Sequence, residues 1–134
     1  MGRAAYVLCF LAGPCVVGAS SAAAETQAPD YYIEALFAVS TAETLTEFCP
    51  DVGFDPGAAN AQAEAVLNQL AADGITGDAI LALTGIEAGV AALQSAFTQR
   101  YALTSPTEDA ICAAAQAEMS ADSAIGRVLV EEGQ

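Results

Sequence analysis

Two cysteines, Cys49 and Cys112, are the residues of this 134-residue sequence best suited to chemistry. They lie 63 residues apart and do not form the Cys-x-x-Cys motif that lowers the pKa of a thiol in redox-active pairs. The sequence contains no histidine to complete a catalytic thiol or a zinc site. In an exported protein such a pair predicts one structural disulfide, and a redox-active pair is the alternative.

Carboxylates are the other groups that could do chemistry, since 17 residues are Asp or Glu. The acidic loops 49–55 and 73–78 lack the alternating ligand spacing of a calcium site. The adjacent carboxylates at 108–109 and 131–132 would point in different directions on a helix, which makes them poor acid/base pairs. We therefore expect no catalytic residue, no metal site and no cofactor. The alternative is a carboxylate-based hydrolase, which needs two acids about 5–10 Å apart across a cleft.

The charge of the chain excludes several classes of partner. No lysine is present, so Schiff-base chemistry and P-loop phosphate binding lack the residue they need. Beyond residue 24 the chain has 17 acids against two cations, Arg100 and Arg127, which leaves a net charge of −15. Such a chain repels nucleic acid and anionic membrane surfaces. It attracts basic partners.

The first 24 residues have the three parts of a secretory signal. Arg3 precedes an apolar stretch over 4–17, and the segment ends in small residues with an A-x-A pattern at Ala22 and Ala24. Cleavage after Ala24 would place the remaining chain in the periplasm or outside the cell. We divide the sequence into a signal peptide (1–24), a disordered lead-in (25–29), one helical domain (30–130) and an acidic tail (131–134).

The elements that must position these residues are all helical. Apolar residues recur at helical spacing in four segments and a short final one, and no segment alternates as a strand would. We predict a first helix from its N-cap Asp30 to Cys49, a second through Ala59 and Leu70, a third from Ile80 to Tyr101, a fourth through Ile111 and Met119, and a last one at Ile125, Val128 and Leu129.

The sequence therefore predicts an all-α bundle of four to five helices, stapled by one disulfide and preceded by a cleavable signal peptide. The disulfide would join Cys49, at the end of the first helix, to Cys112 on the fourth. The larger aromatic side chains are interpreted as core rather than as a ligand cage; these are Phe48, Phe54, Phe97 and Tyr101.

Two polar features are interpreted as stabilising devices. Ser105-Pro106-Thr107-Glu108 matches a capping box, in which Ser105 and Glu108 satisfy each other's backbone amides. Arg127 is expected to form an ion pair with Glu131 or Glu118, and contact with a partner is the alternative.

The stretch from Ala79 to Phe97 has a single charged residue, Glu87, and must be weighed as a membrane span. Its polar residues lie off the apolar stripe, as in a bundle helix. A glutamate near the middle of a span would also cost about 2–3 kcal/mol or more. We therefore expect no membrane insertion, and we expect the Gly-x-x-x-Gly spacing within the stretch to pack closely inside the bundle.

Three segments together resemble a known family. They are the helical run ending in Cys49-Pro50, the capping box ahead of Cys112, and the ending Glu118-Met119…Ser123-Ala124-Ile125-Gly126-Arg127-Val128-Leu129. They resemble a small exported alphaproteobacterial family catalogued as domain of unknown function five-three-three-three. The resemblance implies the same leader, the same two cysteines and a helical fold, but no activity. Relatives look more charged and more basic in the third helix than 79–97 is here.

We predict a periplasmic or secreted, acidic, non-catalytic module that binds another envelope protein, in particular a basic one. Two alternatives stay open. One is the carboxylate-based hydrolase, and the other is a structural or membrane-associated subunit near the respiratory chain, a setting that the resemblance implies. The sequence leaves the partner and the oligomeric state undetermined.

Overall fold

The computed structural model describes residues 25–133, and these residues form a mostly helical fold. The predicted signal peptide, 1–24, lies outside the described residues. Five helices, one 3₁₀ turn and two short strands follow one another along the chain: α1 (Asp30–Phe48), β1 (Val52–Phe54), α2 (Pro56–Ala72), α3 (Asp78–Leu81), α4 (Ile86–Arg100), α5 (Glu108–Ser120), the 3₁₀ turn (Gly126–Val128) and β2 (Leu129–Glu131).

α1 is the central helix and packs against α2, α4 and α5. Its buried residues share one face, because they recur at helical spacing: Ile33, Phe37, Ala38, Ala42 and Leu45. On α5 the buried neighbours in the same core cluster are also small, Ala114 and Ala115. Small side chains allow two helices to approach closely. The core therefore lies along this face of α1.

Aromatic and sulfur contacts join α1 to the second half of the chain. Phe37 of α1 meets Phe97 of α4 edge to face, with the ring centroids 6.0 Å apart. Cys49, directly after α1, forms a disulfide with Cys112 of α5, and their Cα atoms lie 5.2 Å apart. The predicted helical fold stapled by a Cys49–Cys112 disulfide is confirmed.

The last element, β2, is a strand that begins at Leu129, where a short helix was predicted. β2 pairs antiparallel with β1, and Gly53 faces Val130 in the register. The backbone amide of Asp55 also donates to the carbonyl of Val128 at 2.9 Å. The helical expectation for Ile125–Leu129 holds only for the 3₁₀ turn, because Leu129 already belongs to β2. Strands of three residues are too short to show an alternating pattern, which is why the sequence did not reveal them.

The predicted third helix is interrupted. α3 ends at Leu81, and α4 starts only after Gly85, which has a left-handed backbone with φ 79°. Between them the backbone of Thr84 bonds to the segment that precedes α1: its amide donates to the carbonyl of Thr26 at 3.0 Å, and its carbonyl accepts from the amide of Ala28 at 2.9 Å. The segment 25–29 is therefore not a disordered lead-in, because residues 26–28 pair with Thr84 and Ala28 is buried.

Two predicted helix starts are displaced. α1 begins at Asp30 itself, with Pro29 at the N-cap and no side-chain cap. α5 begins at Glu108, and its N-cap is Thr107, whose hydroxyl accepts from the amide of Ala110 at 3.2 Å. The predicted capping box of Ser105 with Glu108 is therefore wrong, because the N-cap lies two residues later, at Thr107. The physical reason is that Thr107 has a capping hydroxyl and stands directly before the first helical residue.

Among the described helices, none combines the length and the apolar character that crossing a bilayer requires. The stretch 79–97 is divided between α3 and α4, and its glycines lie at and beyond the break. Gly89 packs against Ile33, where a Cβ would come within 2.7 Å of the Ile33 Cδ1 atom. The close packing expected for the Gly-x-x-x-Gly spacing is therefore found at Gly89.

Candidate functional site

A groove of about 600 Å³ runs between α1 and α2. Its α1 wall carries Tyr32, Ala35, Leu36, Val39, Ser40 and Glu43, which share one helix face because of their spacing. At 1.5 Å per residue, this wall is about 16 Å long, or three turns. The opposite wall is formed by α2, mainly by Ala59, Ala63, Val66 and Leu67.

The groove exposes two large apolar side chains. Leu36 is 39% exposed and Leu67 is 51% exposed, one on each wall. They stay accessible because α2 packs loosely, with Leu70 as its one fully buried residue within the described structure. Exposed leucines that share one concave surface are typical of an interaction site, whereas scattered ones are not.

Charge and polarity are unevenly distributed around the groove. Glu43 is the single charged residue in the lining, as far as residues 25–133 define it. The polar groups of the lining are amides and hydroxyls, including Asn60, Gln62 and Ser40. The N-cap of α2 adds Asp55, whose carboxylate accepts from the amides of Gly57 and Ala58 at 2.9 and 3.0 Å. The groove therefore combines an apolar floor with a negative edge.

Arg127 lies in a second groove, of about 630 Å³, on the other side of α2. This groove is lined mostly by alanines of α2 and by polar side chains, among them Tyr31, Glu34 and Gln69. Tyr31 donates a hydrogen bond of 2.6 Å to the carboxylate of Asp73. Desolvation, followed by this hydrogen bond, raises the pKa of Tyr31 to about 12. The guanidinium of Arg127 is exposed there.

A protein-family model described as a family of unknown function, DUF5333, matches residues 24–130. This chain belongs to DUF5333. The match spans Cys49, Cys112 and every helix within the described residues, so the predicted membership of this family of unknown function is confirmed. No curated protein matches the chain, and no solved structure matches it.

Within residues 25–133 of this DUF5333 protein, the buried carboxylate is Glu118, on α5, with a relative exposure of 3%. The hydroxyl of Tyr101 donates to it at 2.5 Å, and the guanidinium of Arg100 lies 3.5 Å away. Desolvation, followed by this hydrogen bond, raises the pKa of Tyr101. The predicted pairing of Arg127 with Glu118 is therefore wrong, because Arg100 takes that place. Arg100 and Tyr101 lie next to each other at the end of α4 and reach the carboxylate together.

Within residues 25–133, no three His, Cys, Asp or Glu side chains come together in a way that could hold a metal ion. A cavity between the end of α1 and the start of α5 is lined by two carboxylates, Glu47 and Glu108. Both are exposed. A general acid at neutral pH usually needs a desolvated carboxyl, so this pair lacks the setting that the hydrolase alternative requires.

Four aromatic residues of this DUF5333 chain were predicted to lie in the core: Phe48, Phe54, Phe97 and Tyr101. Phe97 is buried, and Phe54 and Tyr101 are partly buried against the core, as expected. Phe48 is 53% exposed, so its assignment to the core is wrong. It stands at the last position of α1. Its nearness to Pro50 was the one sequence signal that the helix, and with it the buried face, was ending.

Proposed function

We propose that this protein is an exported, non-catalytic module that binds an amphipathic, basic helical segment of another envelope protein. The binding site is the groove between α1 and α2. One observation carries the proposal: Leu36 and Leu67 are exposed on opposite walls of the same apolar groove. A partner that buries both side chains would remove from water the apolar area that the fold leaves exposed, and this removal favours binding.

The shape of the groove fits a helix. An α1 wall about 16 Å long, facing a second helical wall on α2, is the geometry in which a partner helix lays its apolar face. Three turns accommodate anchors at i, i+3, i+4 and i+7. The alanines of the α2 wall, Ala59 and Ala63, leave room for larger side chains of the partner.

The charge of the chain selects a basic partner. The sequence carries a formal net charge of −14, and Glu43 stands at the groove itself. Opposite charge on a partner speeds encounter and fixes orientation. A second copy of this chain would bring the same negative charge, so self-association through the groove is disfavoured.

Export is supported by two features of the chain. The sequence begins with the three parts of a secretory signal. Cys49 and Cys112 form a disulfide, and disulfides persist in oxidising compartments such as the periplasm. We therefore expect the partner among periplasmic proteins or the periplasmic parts of membrane proteins.

Affinity capture with matched variants tests the proposal. The protein and its variants Leu36→Asn, Leu67→Asn and Leu81→Asn are each used to capture proteins from an envelope extract of the source cells. Leu81 is the control, because it is 85% exposed and lies on α3, outside the groove. All three substitutions replace an exposed leucine, so none is expected to unfold the chain.

The expected result is one partner, captured by the wild type and by Leu81→Asn, and lost or at least about tenfold weaker with Leu36→Asn and Leu67→Asn. Its binding should also weaken as salt is raised. A partner held equally by all four proteins would overturn the proposed site, and a partner with an acidic contact segment would overturn the electrostatic part.

A further inference from the structure

A smaller cavity of about 360 Å³ opens between α1, α4 and the loop before α5. Phe37 and Phe97 lie in its lining, and their edge-to-face pair belongs to the buried core. Phe48 lines the same cavity and is 53% exposed. The cavity therefore leads from an exposed aromatic ring at the surface to two buried ones.

The polar groups of this cavity are all uncharged. Thr41 and Thr44 of α1 and Gln94 and Thr98 of α4 contribute hydroxyls and an amide. No Asp, Glu or Arg belongs to the lining among residues 25–133, although the whole chain carries a formal charge of −14. A cavity without charge in so acidic a protein provides no counter-ion for a charged ligand.

We propose that this cavity binds a small uncharged aromatic molecule that carries one hydrogen-bonding group. Ligand sites for small molecules have volumes of roughly 300–1,000 Å³ and an apolar, aromatic lining with a few polar groups. Ring edges and faces of the phenylalanines would contact the ligand ring. A hydroxyl or amide on the ligand would pair with Thr98 or Gln94 near the opening.

The charge of the ligand follows from desolvation. An anion would leave water without gaining a cation, and it would also meet the negative field of the whole chain. A cation would be attracted by that field, but it would find no carboxylate in the lining to replace its lost hydration. A neutral ring loses little hydration, so the cavity discriminates by charge and not by shape alone.

The site does not depend on the proposed partner groove. Its lining contains neither Leu36 nor Leu67, which carry that proposal, and within residues 25–133 the two linings share only Ser40. Phe48 directly precedes Cys49, which forms the disulfide with Cys112. Either site can therefore fail in an experiment without the other.

The test uses a matched pair of probes on the intact protein. 2-Naphthol is neutral at pH 7, whereas 2-naphthoate has the same ring system and a negative charge. Binding is measured by NMR, as saturation transfer to the probe and as shift changes of the labelled protein. Thr44→Phe fills the cavity from an exposed position of α1. Ser95→Phe is the control, since Ser95 is exposed on α4 outside the lining and each substitution removes one side-chain hydrogen bond.

We expect 2-naphthol to bind at least about tenfold more tightly than 2-naphthoate. It should shift the resonances of Phe37, Phe48 and Phe97. Thr44→Phe should abolish this binding, and Ser95→Phe should retain it. Equal binding of the two probes, binding that survives in Thr44→Phe, or shifts confined to Leu36 and Leu67 would each overturn the proposal.

Discussion

Gly126 sits against the backbone of α5 so closely that no side chain fits there. A Cβ at this position would collide with the carbonyl oxygen of Glu118 and come within 2.7 Å of the amide nitrogen of Met119. Backbone atoms of a helix cannot move aside as a flexible side chain can. The close contact explains why the 3₁₀ turn has glycine at its first position and can pack onto α5.

Gly126→Ala is expected to lower the free energy of unfolding by about 3 kcal/mol, because the added methyl group overpacks this contact. Urea denaturation followed by circular dichroism measures the effect. Gly57→Ala is the control: the nearest atom there is the Asp55 carboxylate at 3.2 Å, and the change should stay within about 0.5 kcal/mol. Equal effects at both positions would contradict the close contact.

Two tyrosines make stability depend on alkaline pH. Desolvation and the hydrogen bond to Glu118 raise the pKa of Tyr101 above its ordinary value of 10.0. Desolvation and the hydrogen bond to Asp73 raise the pKa of Tyr31 to about 12. In both cases the folded state favours the neutral phenol. The stabilisation is therefore complete below pH 10.0 and is lost as pH rises through the raised pKa values.

The unfolding free energy should accordingly fall between pH 10.0 and about 12. The double variant Tyr31→Phe/Tyr101→Phe should show a flatter dependence over this range, since it has no phenol to ionise at either site. Denaturation curves at several pH values, with tyrosinate absorbance recorded in parallel, measure both quantities. An unchanged slope in the double variant would show that other groups control the alkaline transition.

The N-cap of α5 is Thr107, two residues after the Ser105 that the predicted capping box requires. Thr107→Ala should destabilise the protein by about 1 kcal/mol, because the amide of Ala110 loses its side-chain acceptor. Ser105→Ala should change stability by less than about 0.5 kcal/mol, since Ser105 precedes the cap. Thermal unfolding of the two variants decides between the starts. A larger loss of stability in Ser105→Ala than in Thr107→Ala would show that Ser105 caps the helix, as the capping box predicted.

Helical periodicity predicted most elements but not their interruptions. Ile33, Phe37 and Leu45 recur on one face, and the structure buries them as that pattern requires. Leu83 and Ile86 keep helical spacing across the break before α4, so periodicity could not reveal it. The break depends on Thr84 pairing with residues 26–28, a contact between distant parts of the chain. Local patterns contain no information about such contacts.

The two grooves beside α2 could not be predicted from the sequence, for a related reason. Leu36 and Leu67 obey the same apolar spacing as buried residues. Whether such a residue ends in a core or on a surface depends on how closely neighbouring helices pack, and α2 packs loosely against α1. The disulfide was predictable because only two cysteines follow residue 24, so pairing needed no geometry.

Across the whole molecule, the disulfide closes a loop of 63 residues that contains α2, α3 and α4. Its loss should cost up to about 4 kcal/mol, because the unfolded chain regains the entropy that the bridge removed. Urea denaturation with and without reductant measures this difference. The double variant Cys49→Ser/Cys112→Ser should be as unstable as the reduced protein and insensitive to reductant. Equal stability of the oxidised and reduced chains would contradict this role.

The net charge predicts opposite effects of salt on folding and on binding. Raising sodium chloride from about 50 to about 500 mM should stabilise the fold, because it screens repulsion among the acids. The same change should weaken capture of the proposed partner. Thermal unfolding and quantitative capture at matched salt concentrations check the two directions. A fold that loses stability as salt rises would indicate that ion pairs outweigh the repulsion.

The bridge between Cys49 and Cys112 also determines how the chain responds to a protease. The link between α2 and α3, residues 73–77, is exposed apart from Ile75 and lies inside the covalent loop. A nick there would leave both fragments in one molecule, and they would separate on a gel only after reduction. The protein could therefore be cut once in a protease-rich compartment and still keep its two halves together.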